Sequence, residues 1–289
     1  MTTPVRVVLN GAAFTAPLRA KSELAGRPVE FPTVRPIHRA FREMIRNGAY
    51  DVSEMAIGAF LQARDVGQDL FLLPIAMSGD FHHRSLYSMG AVASPGDLAG
   101  KRVGVRSYSQ TSGLWVRGWL DEEEGVRASD VTWVVTEGSH VEDYRDPANV
   151  EAADAPVREL LARGDVDAAI LGLSDDVDGL VPLLSNPVER SLEWYERHGC
   201  VPLNHLLVTT RRMMDENGEM LQEIYRSLTD GIESGLADPP RDAELPSAVT
   251  YGRDEVLPAL RIAAHYARDQ ALVRTVSDLD ALFVPDLGR

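Results

Sequence analysis

The residues best suited to chemistry are histidines at the ends of apolar strands. Ser78-Gly-Asp-Phe-His-His-Arg84 carries the adjacent pair His82 and His83 and follows the apolar run Leu70–Met77, which reads as a buried strand. Glu137-Gly-Ser-His-Val-Glu-Asp-Tyr-Arg145 carries His140, Tyr144 and Arg145 and follows the strand Val131–Val135. Asn204 and His205 open a further strand, Leu206–Thr209. In open α/β sheets ligands bind beyond the strand ends, so these three segments are expected to meet in one cleft. Histidine titrates near neutrality and suits proton transfer. Arginine grips carboxylates with two parallel hydrogen bonds. The combination points to a small anionic, carboxylate-bearing ligand. The His82-His83 pair allows three readings: a proton donor with its orienting neighbour, a divalent-metal site completed by His140 or His205, or polar loop residues without chemistry.

The elements that must position these loops alternate along the chain. Val5–Leu9 reads as a first strand, Ala16–Leu24 as a short helix and Val29–Phe31 as a second strand. A helix is expected from Arg35-Pro36, with Ile37, Phe41, Met44 and Ile45 as its buried face and Arg39, Arg42 and Arg46 on the solvated side. Gly48-Ala-Tyr-Asp51 and Gly164-Asp-Val-Asp167 each follow a helical segment and lead into a strand. This weak internal repeat suggests two α/β lobes with related wiring, each glycine ending its helix. The turn-rich Ser94–Gly100 marks a boundary, and the strand Lys101–Val105 follows it. The loop with Ser107, Gln110, Thr111 and Ser112 precedes the helix Leu114–Glu124; hydroxyls at a helix start read equally as an anion site or an ordinary cap. Leu171–Leu184, with Asp175, Asp176 and Asp178, lacks the calcium-loop spacing and reads as a solvated acidic loop. Helices are expected over Ser191–His198, Glu219–Gly235, Asp254–Asp269 and Ser277–Phe283.

Composition sets outer bounds. A chain of 289 residues is long enough for two lobes, and 44% hydrophobic with 25% charged residues is ordinary for a globular protein. A net charge of −15 argues against a nucleic-acid partner. No apolar run reaches membrane-spanning length, so no membrane partner is expected. One cysteine, Cys200, rules out an intramolecular disulfide. The start lacks a charged segment followed by an apolar one, so a cytoplasmic location is expected. No GxGxxG, Walker loop, HExxH or nucleophile elbow is present, which leaves dinucleotide, triphosphate and serine-hydrolase chemistry without support.

Asp51-Val-Ser-Glu-Met55, Phe81-His-His83, Gly113-Leu-Trp-Val-Arg-Gly118, His140-Val-Glu-Asp-Tyr-Arg145 with Pro147-Ala-Asn149, and Pro202-Leu-Asn-His205 resemble the 4,5-dihydroxyphthalate decarboxylase family. That family is similar to the type II periplasmic substrate-binding proteins of ABC transporters. The resemblance implies an α/β, two-lobe fold with the ligand cleft between lobes, residues 1–90 plus 203–289 forming one lobe and 91–202 the other. It implies loss of CO2 from a small hydroxylated aromatic carboxylate without a redox step and without an organic cofactor. His82 or His83 would give the proton, with His140 next. Arg35 and Arg145 would bind carboxylates, Glu54 would take a phenolic hydrogen or orient a histidine, and Ser107, Gln110, Thr111 and Ser112 would hold a carboxylate from the second lobe. Tyr144, Asn204 and His205 would complete the pocket. A bound metal and a homo-oligomer are left open. The competing reading is a solute-binding protein of the same fold without catalysis, and a third is another enzyme on this scaffold, such as a dehydratase or cyclase.

Overall fold

Strands and helices alternate as the apolar pattern demands. The computed structural model describes residues 3–172, 175–275 and 278–288. The first lobe opens with β1 (Val5–Val8), α1 (Ala16–Arg19), β2 (Glu23–Leu24), β3 (Arg27–Glu30), α2 (His38–Asn47), β4 (Val52–Ala56), α3 (Ile57–Asp65) and β5 (Leu70–Gly79). Then come β6 (Leu86–Ser88), β7 (Arg102–Val105), α4 (Thr111–Glu124), β8 (Thr132–Val135), β9 (Val150–Ala152), α5 (Val157–Arg163), β10 (Ala168–Ile170), β11 (Val181–Pro182) and α6 (Pro187–His198). The chain closes with β12 (Leu203–Thr210), α7 (Arg211–Glu216), α8 (Gly218–Gly231), β13 (Thr250–Tyr251) and α9 (Arg253–Asp269).

Among the described residues these strands form two sheets, ordered β13-β5-β12-β4-β1-β3-β2 and β11-β6-β10-β7-β8-β9. Each has the same heart. In the first, β1 lies parallel between β3 and β4, with β12 antiparallel beyond β4. In the second, β7 lies parallel between β8 and β10, with β6 antiparallel beyond β10. The two Gly-x-x-Asp segments occupy equivalent places. Gly48 and Gly164 end α2 and α5 in the left-handed region, at φ 58° and 74°, where glycine carries no Cβ penalty. Asp51 then accepts the Arg6 N–H through its carboxylate at 2.9 Å and donates its own N–H to Arg6 O at 3.0 Å. Asp167 makes the same exchange with Arg102, at 2.9 and 2.8 Å. The short repeat is thus a device that locks each returning strand beside the central parallel strand of its lobe, β1 or β7.

Leu70–Met77 of β5 is buried throughout, as a strand covered on both faces requires. Two crossovers join the lobes side by side. Asp80 N–H donates to Pro202 O at 3.2 Å, and a Cβ on Gly79 would lie 2.4 Å from that same oxygen. Only glycine allows the two chains this approach. The second sheet begins at Leu86, ahead of residue 91. Helix α9 packs on both α3 and α4, with Trp115 edge-on to Tyr266 at 5.7 Å, so the C-terminal helix ties the lobes together behind the cleft.

Several local expectations need correction. The helix expected over Ala16–Leu24 stops at Arg19, because Glu23–Leu24 pairs with β3 around the turn at Ala25 and Gly26. Helix α2 starts at His38; Pro36 sits a turn earlier and accepts the Arg39 N–H at 3.2 Å. Helix α8 ends at Gly231 and passes into a π-turn over Ile232–Leu236. In place of a last helix over Ser277–Phe283 there is one 3-10 turn, Asp280–Leu282, and Ser277 lies outside the described residues. Arg39, Arg42 and Arg46 are exposed as expected, and Arg46 also reaches over to donate to His140 O at 2.9 Å and Ser139 O at 3.2 Å.

Candidate functional site

The parallel strands β4, β7, β8 and β10 all point their C-terminal ends at one cleft of about 1000 Å³ between the lobes. The first lobe contributes Ile37, His38 and Phe41 from the start of α2, His82 from the first crossover, and Asn204 and His205 from β12. The second contributes Arg106, Ser107, Gln110, Thr111 and Ser112, then Glu137 and His140, then Arg158, Asp175 and Asp176. Arg241 enters from the long segment between α8 and β13.

The second-lobe wall is a cradle of donors. Helix α4 begins at Thr111, so Thr111 and Ser112 belong to its first turn and its unpaired N–H groups face the cleft end. Gln110 spans this turn by donating to Ser112 Oγ at 2.6 Å, and Ser107 Oγ lies 3.3 Å from Ser109 Oγ. Gln110 Oε1, Thr111 Oγ1 and His140 Nδ1 are buried with no hydrogen-bond partner. A buried polar atom left unmatched costs about 1–3 kcal/mol. Three of them converging on one cleft mark the place of a polar ligand.

The first-lobe wall is a histidine held by a buried carboxylate. Glu54, on β4, is fully buried and accepts hydrogen bonds from His205 Nδ1 at 2.6 Å, Asn10 N at 2.8 Å and Asn10 Nδ2 at 3.0 Å. Strand pairing places Leu207 opposite Glu54, which brings the His205 ring within reach of the carboxylate. With Nδ1 taken, Nε2 is the nitrogen that His205 offers to a ligand. Phe41 presents its edge to both His205 and His140, at 5.1 and 6.1 Å between ring centroids. It is the apolar element between the two histidines.

Burial drops the pKa of His82 to about 4, against a hydrogen bond to Asn204 Oδ1 that works the other way. Burial, then the Arg42 and Arg106 guanidiniums, takes His140 to about 4 as well. His38 is lowered by burial and by Arg106. His82 and His140 are therefore neutral at pH 7. His82 donates from Nε2 to Asn204 Oδ1 at 2.7 Å and has Ser85 Oγ 3.4 Å from Nδ1, so its ring holds Asn204 in place.

The other expected site residues lie elsewhere. His83 turns away from the cleft, stacks on Trp119 at 5.2 Å, and lies 3.2 Å from Ser191 Oγ and 3.4 Å from Glu123. Burial alone would push Glu123 up, but its bonds to His83 and Arg190 outweigh this and hold it at about 2. The two rings part at a tight turn, in which Ser85 N–H donates to His82 O at 3.0 Å. Tyr144 donates its hydroxyl to Ala271 O at 3.2 Å, and Arg145 bonds the carbonyls of Glu142 and Tyr144 beside it. Neither lines the cleft. Arg35 lines a smaller cavity next to it. Glu54 lies one layer behind the cleft, acting through His205. Among the described residues no group of three or more His, Cys, Asp or Glu side chains converges as a metal site.

His38, Arg106, Arg158 and Arg241 were not expected, and Asp175 and Asp176 line the cleft where a plain solvated loop was read. Arg106 carried a signal, standing at the strand end just before Ser107. Arg241 carried none, because only the fold brings a loop after α8 to the cleft.

Residues 3–175 match the signature of the ABC-transporter phosphonate, periplasmic substrate-binding protein family. The 4,5-dihydroxyphthalate decarboxylase of Comamonas testosteroni is 30% identical over 194 residues, 61% of this chain and 59% of the relative. That of Pseudomonas putida is 35% identical over 144 residues, 45% of this chain and 55% of the relative. The matched regions span less than two thirds of either relative. Both relatives bear out the resemblance read in the motifs. In fold, the chain is similar to the periplasmic aliphatic sulphonate binding protein SsuA of Escherichia coli, with a TM-score of 0.61 at 14% identity over 98% of this chain and 92% of that one. The desulfurization enzyme DszB superposes with a TM-score of 0.59 at 14% identity, over 99% of this chain and 97% of that one. With two lobes, matching sheet wiring and a cleft between them, the chain belongs to the phosphonate-type periplasmic substrate-binding protein family of ABC transporters and is similar to the 4,5-dihydroxyphthalate decarboxylases.

Proposed function

We propose that the cleft binds a hydroxylated aromatic carboxylate such as 4,5-dihydroxyphthalate and releases one carboxyl group as CO2. The observation that carries this reading is the pairing of two unlike histidine sites around one cleft: His205 backed by the buried Glu54, and neutral His140 with an unmatched Nδ1. One suits giving a proton, and the other offers an unprotonated ring nitrogen that accepts a hydrogen bond. The ligand carboxylate sits on the Thr111 hydroxyl and the α4 N-terminus, and Gln110 Oε1 accepts from a hydroxyl of the ligand. His140 Nδ1 accepts a hydrogen bond from a phenolic hydroxyl para to the leaving carboxylate, which raises the electron density that this oxygen feeds into the ring. Electron density moves through the ring to the carboxylate-bearing carbon, and protonated His205 gives that carbon its proton from Nε2. The bond between ring and carboxylate then breaks, CO2 leaves, and the bonding pair restores aromaticity. One proton enters the ring and one CO2 leaves, so no oxidant is required. Phe41 packs on the ring, and water exclusion by the lobes strengthens each electrostatic contact.

The test is CO2 release, with the product identified by mass spectrometry, from purified protein and a panel of hydroxylated aromatic carboxylates. Release from 4,5-dihydroxyphthalate or a close analogue supports the reading. Saturable binding of a panel member with no release supports the second reading, a solute-binding protein, which the matched family favours. A cytoplasmic location goes with the enzyme and an exported one with the binding protein; fractionation of the native host separates them. No helix among the described residues is long and apolar enough to cross a membrane.

A further inference from the structure

Beside the main cleft, and sharing Ile37 with it, lies a smaller cavity of about 230 Å³. Asn10 and Gly11 at the end of β1, Arg19 at the end of α1, and Arg35 before α2 line it, with no acidic residue in its wall. In the main cleft every arginine already faces a carboxylate. Arg106 is 2.8 Å from Glu137, Arg158 is 3.4 Å from Asp176, and Arg241 is 3.6 Å from Asp80. Arg19 and Arg35 have neither an ion pair nor a side-chain hydrogen bond among the described residues. On a chain with 44 acidic and 29 basic residues, two unneutralised guanidiniums at one concavity are a local reversal of sign. Gly11 adds room, since a Cβ there would meet nothing within 4 Å. The Asn10 backbone and amide donate to Glu54, so this cavity adjoins the support of His205 as well as the main cleft.

We propose that this side cavity is a second oxyanion site, in which Arg19 and Arg35 together grip a carboxylate or phosphate group. The guanidinium fork fits both anions, and because the two cavities share the Ile37 wall the group belongs either to the ligand in the cleft or to a separate ion. The site stands apart from decarboxylation: it requires only the two arginines and the cavity.

The test is a titration of the full chain, labelled with 15N-arginine, with inorganic phosphate, following the Nε–Hε signals of Arg19 and Arg35 at constant ionic strength. Both signals are expected to shift and saturate with one dissociation constant. R19Q and R35Q each weaken that constant about tenfold, the size of one lost charge-assisted bond, while far-UV circular dichroism stays unchanged. Shifts that rise without saturating, or a dissociation constant indifferent to both substitutions, would overturn the proposal. A second arm adds phthalate. Displacement of phosphate from the two arginines assigns the site to a carboxylate of the cleft ligand, and binding of both together assigns it to a separate oxyanion.

Discussion

Replacing Glu54 with glutamine probes the support of the proposed proton donor while keeping its shape. Glu54 is fully buried and accepts three hydrogen bonds, the shortest from His205 Nδ1 at 2.6 Å. Glutamine keeps one carbonyl oxygen and replaces the other acceptor with an NH2 group that faces a donor. The charge that stabilises the imidazolium is lost with it. A hydrogen bond to a charged group is worth about 1.5–3 kcal/mol. If that full difference is felt when the ring carbon is protonated, kcat falls about 10- to 150-fold. The assay is steady-state CO2 release across pH, with thermal unfolding measured in parallel. Because Glu54 touches the proposed donor and not the ligand, the loss should sit in kcat, with KM changed by no more than about threefold. An E54Q protein that folds, binds ligand and keeps wild-type kcat would refute the reasoning that joins Glu54 to His205.

Other expectations follow from the same geometry. Thr111→Val removes an unmatched buried hydroxyl at nearly constant volume, so the free protein should gain up to about 1 kcal/mol in denaturant unfolding while ligand affinity drops about five- to tenfold by calorimetry. A more stable protein with unchanged affinity would remove Thr111 from the site. Gly58→Ala would place a Cβ 2.5 Å from Ser109 O, so the loop that leads into the α4 cradle must move. KM should rise about tenfold or more, and an unchanged KM would show that this loop does not set ligand position. His82 and His140 bind a proton less readily when folded, at about 4, than at the ordinary value of 6.5. Their contribution is intact above pH 6.5 and is lost as pH falls toward 4, on the order of 3 kcal/mol for each ring. Unfolding free energy measured against pH should fall through this window, and His82→Gln should flatten part of the fall. Asp51→Ala and Asp167→Ala should each cost roughly 1–3 kcal/mol, because each removes the same backbone anchor; a cost confined to one of them would break the equivalence of the two lobes.

How much of this could be read in the residues depends on the range of the interaction. Strand β5 was visible because its burial needs only a run of apolar side chains. The two lobes were visible through Gly48 and Gly164, whose left-handed caps are a local backbone requirement, and through the aspartate three residues after each. The reciprocal bonds of Asp51 with Arg6 and Asp167 with Arg102 were not visible, because they join residues 45 and 65 apart. The loop segments at the cleft were found as clusters of polar residues after strands. Which member of each cluster faces the ligand is set by side-chain direction, so His82 and His83 looked alike until Asn204 and Glu123 claimed them separately. Glu54 stood out only through the resemblance, since a carboxylate in the middle of a strand gives no sign of the histidine on β12 that needs it. Arg241 is placed by the path of a long connection, where it meets Asp80, and no local pattern reports that.

The central claim is that a hydroxylated aromatic carboxylate loses CO2 in this cleft and a proton takes its place on the ring. The most direct measurement is a reaction of the purified protein with 4,5-dihydroxyphthalate in D2O, reading the released CO2 and the isotope content of the aromatic product. The account predicts stoichiometric CO2 and one deuteron at the carbon that carried the lost carboxylate. Saturable binding with neither CO2 nor deuterium uptake would contradict it and leave the cleft as a binding site alone.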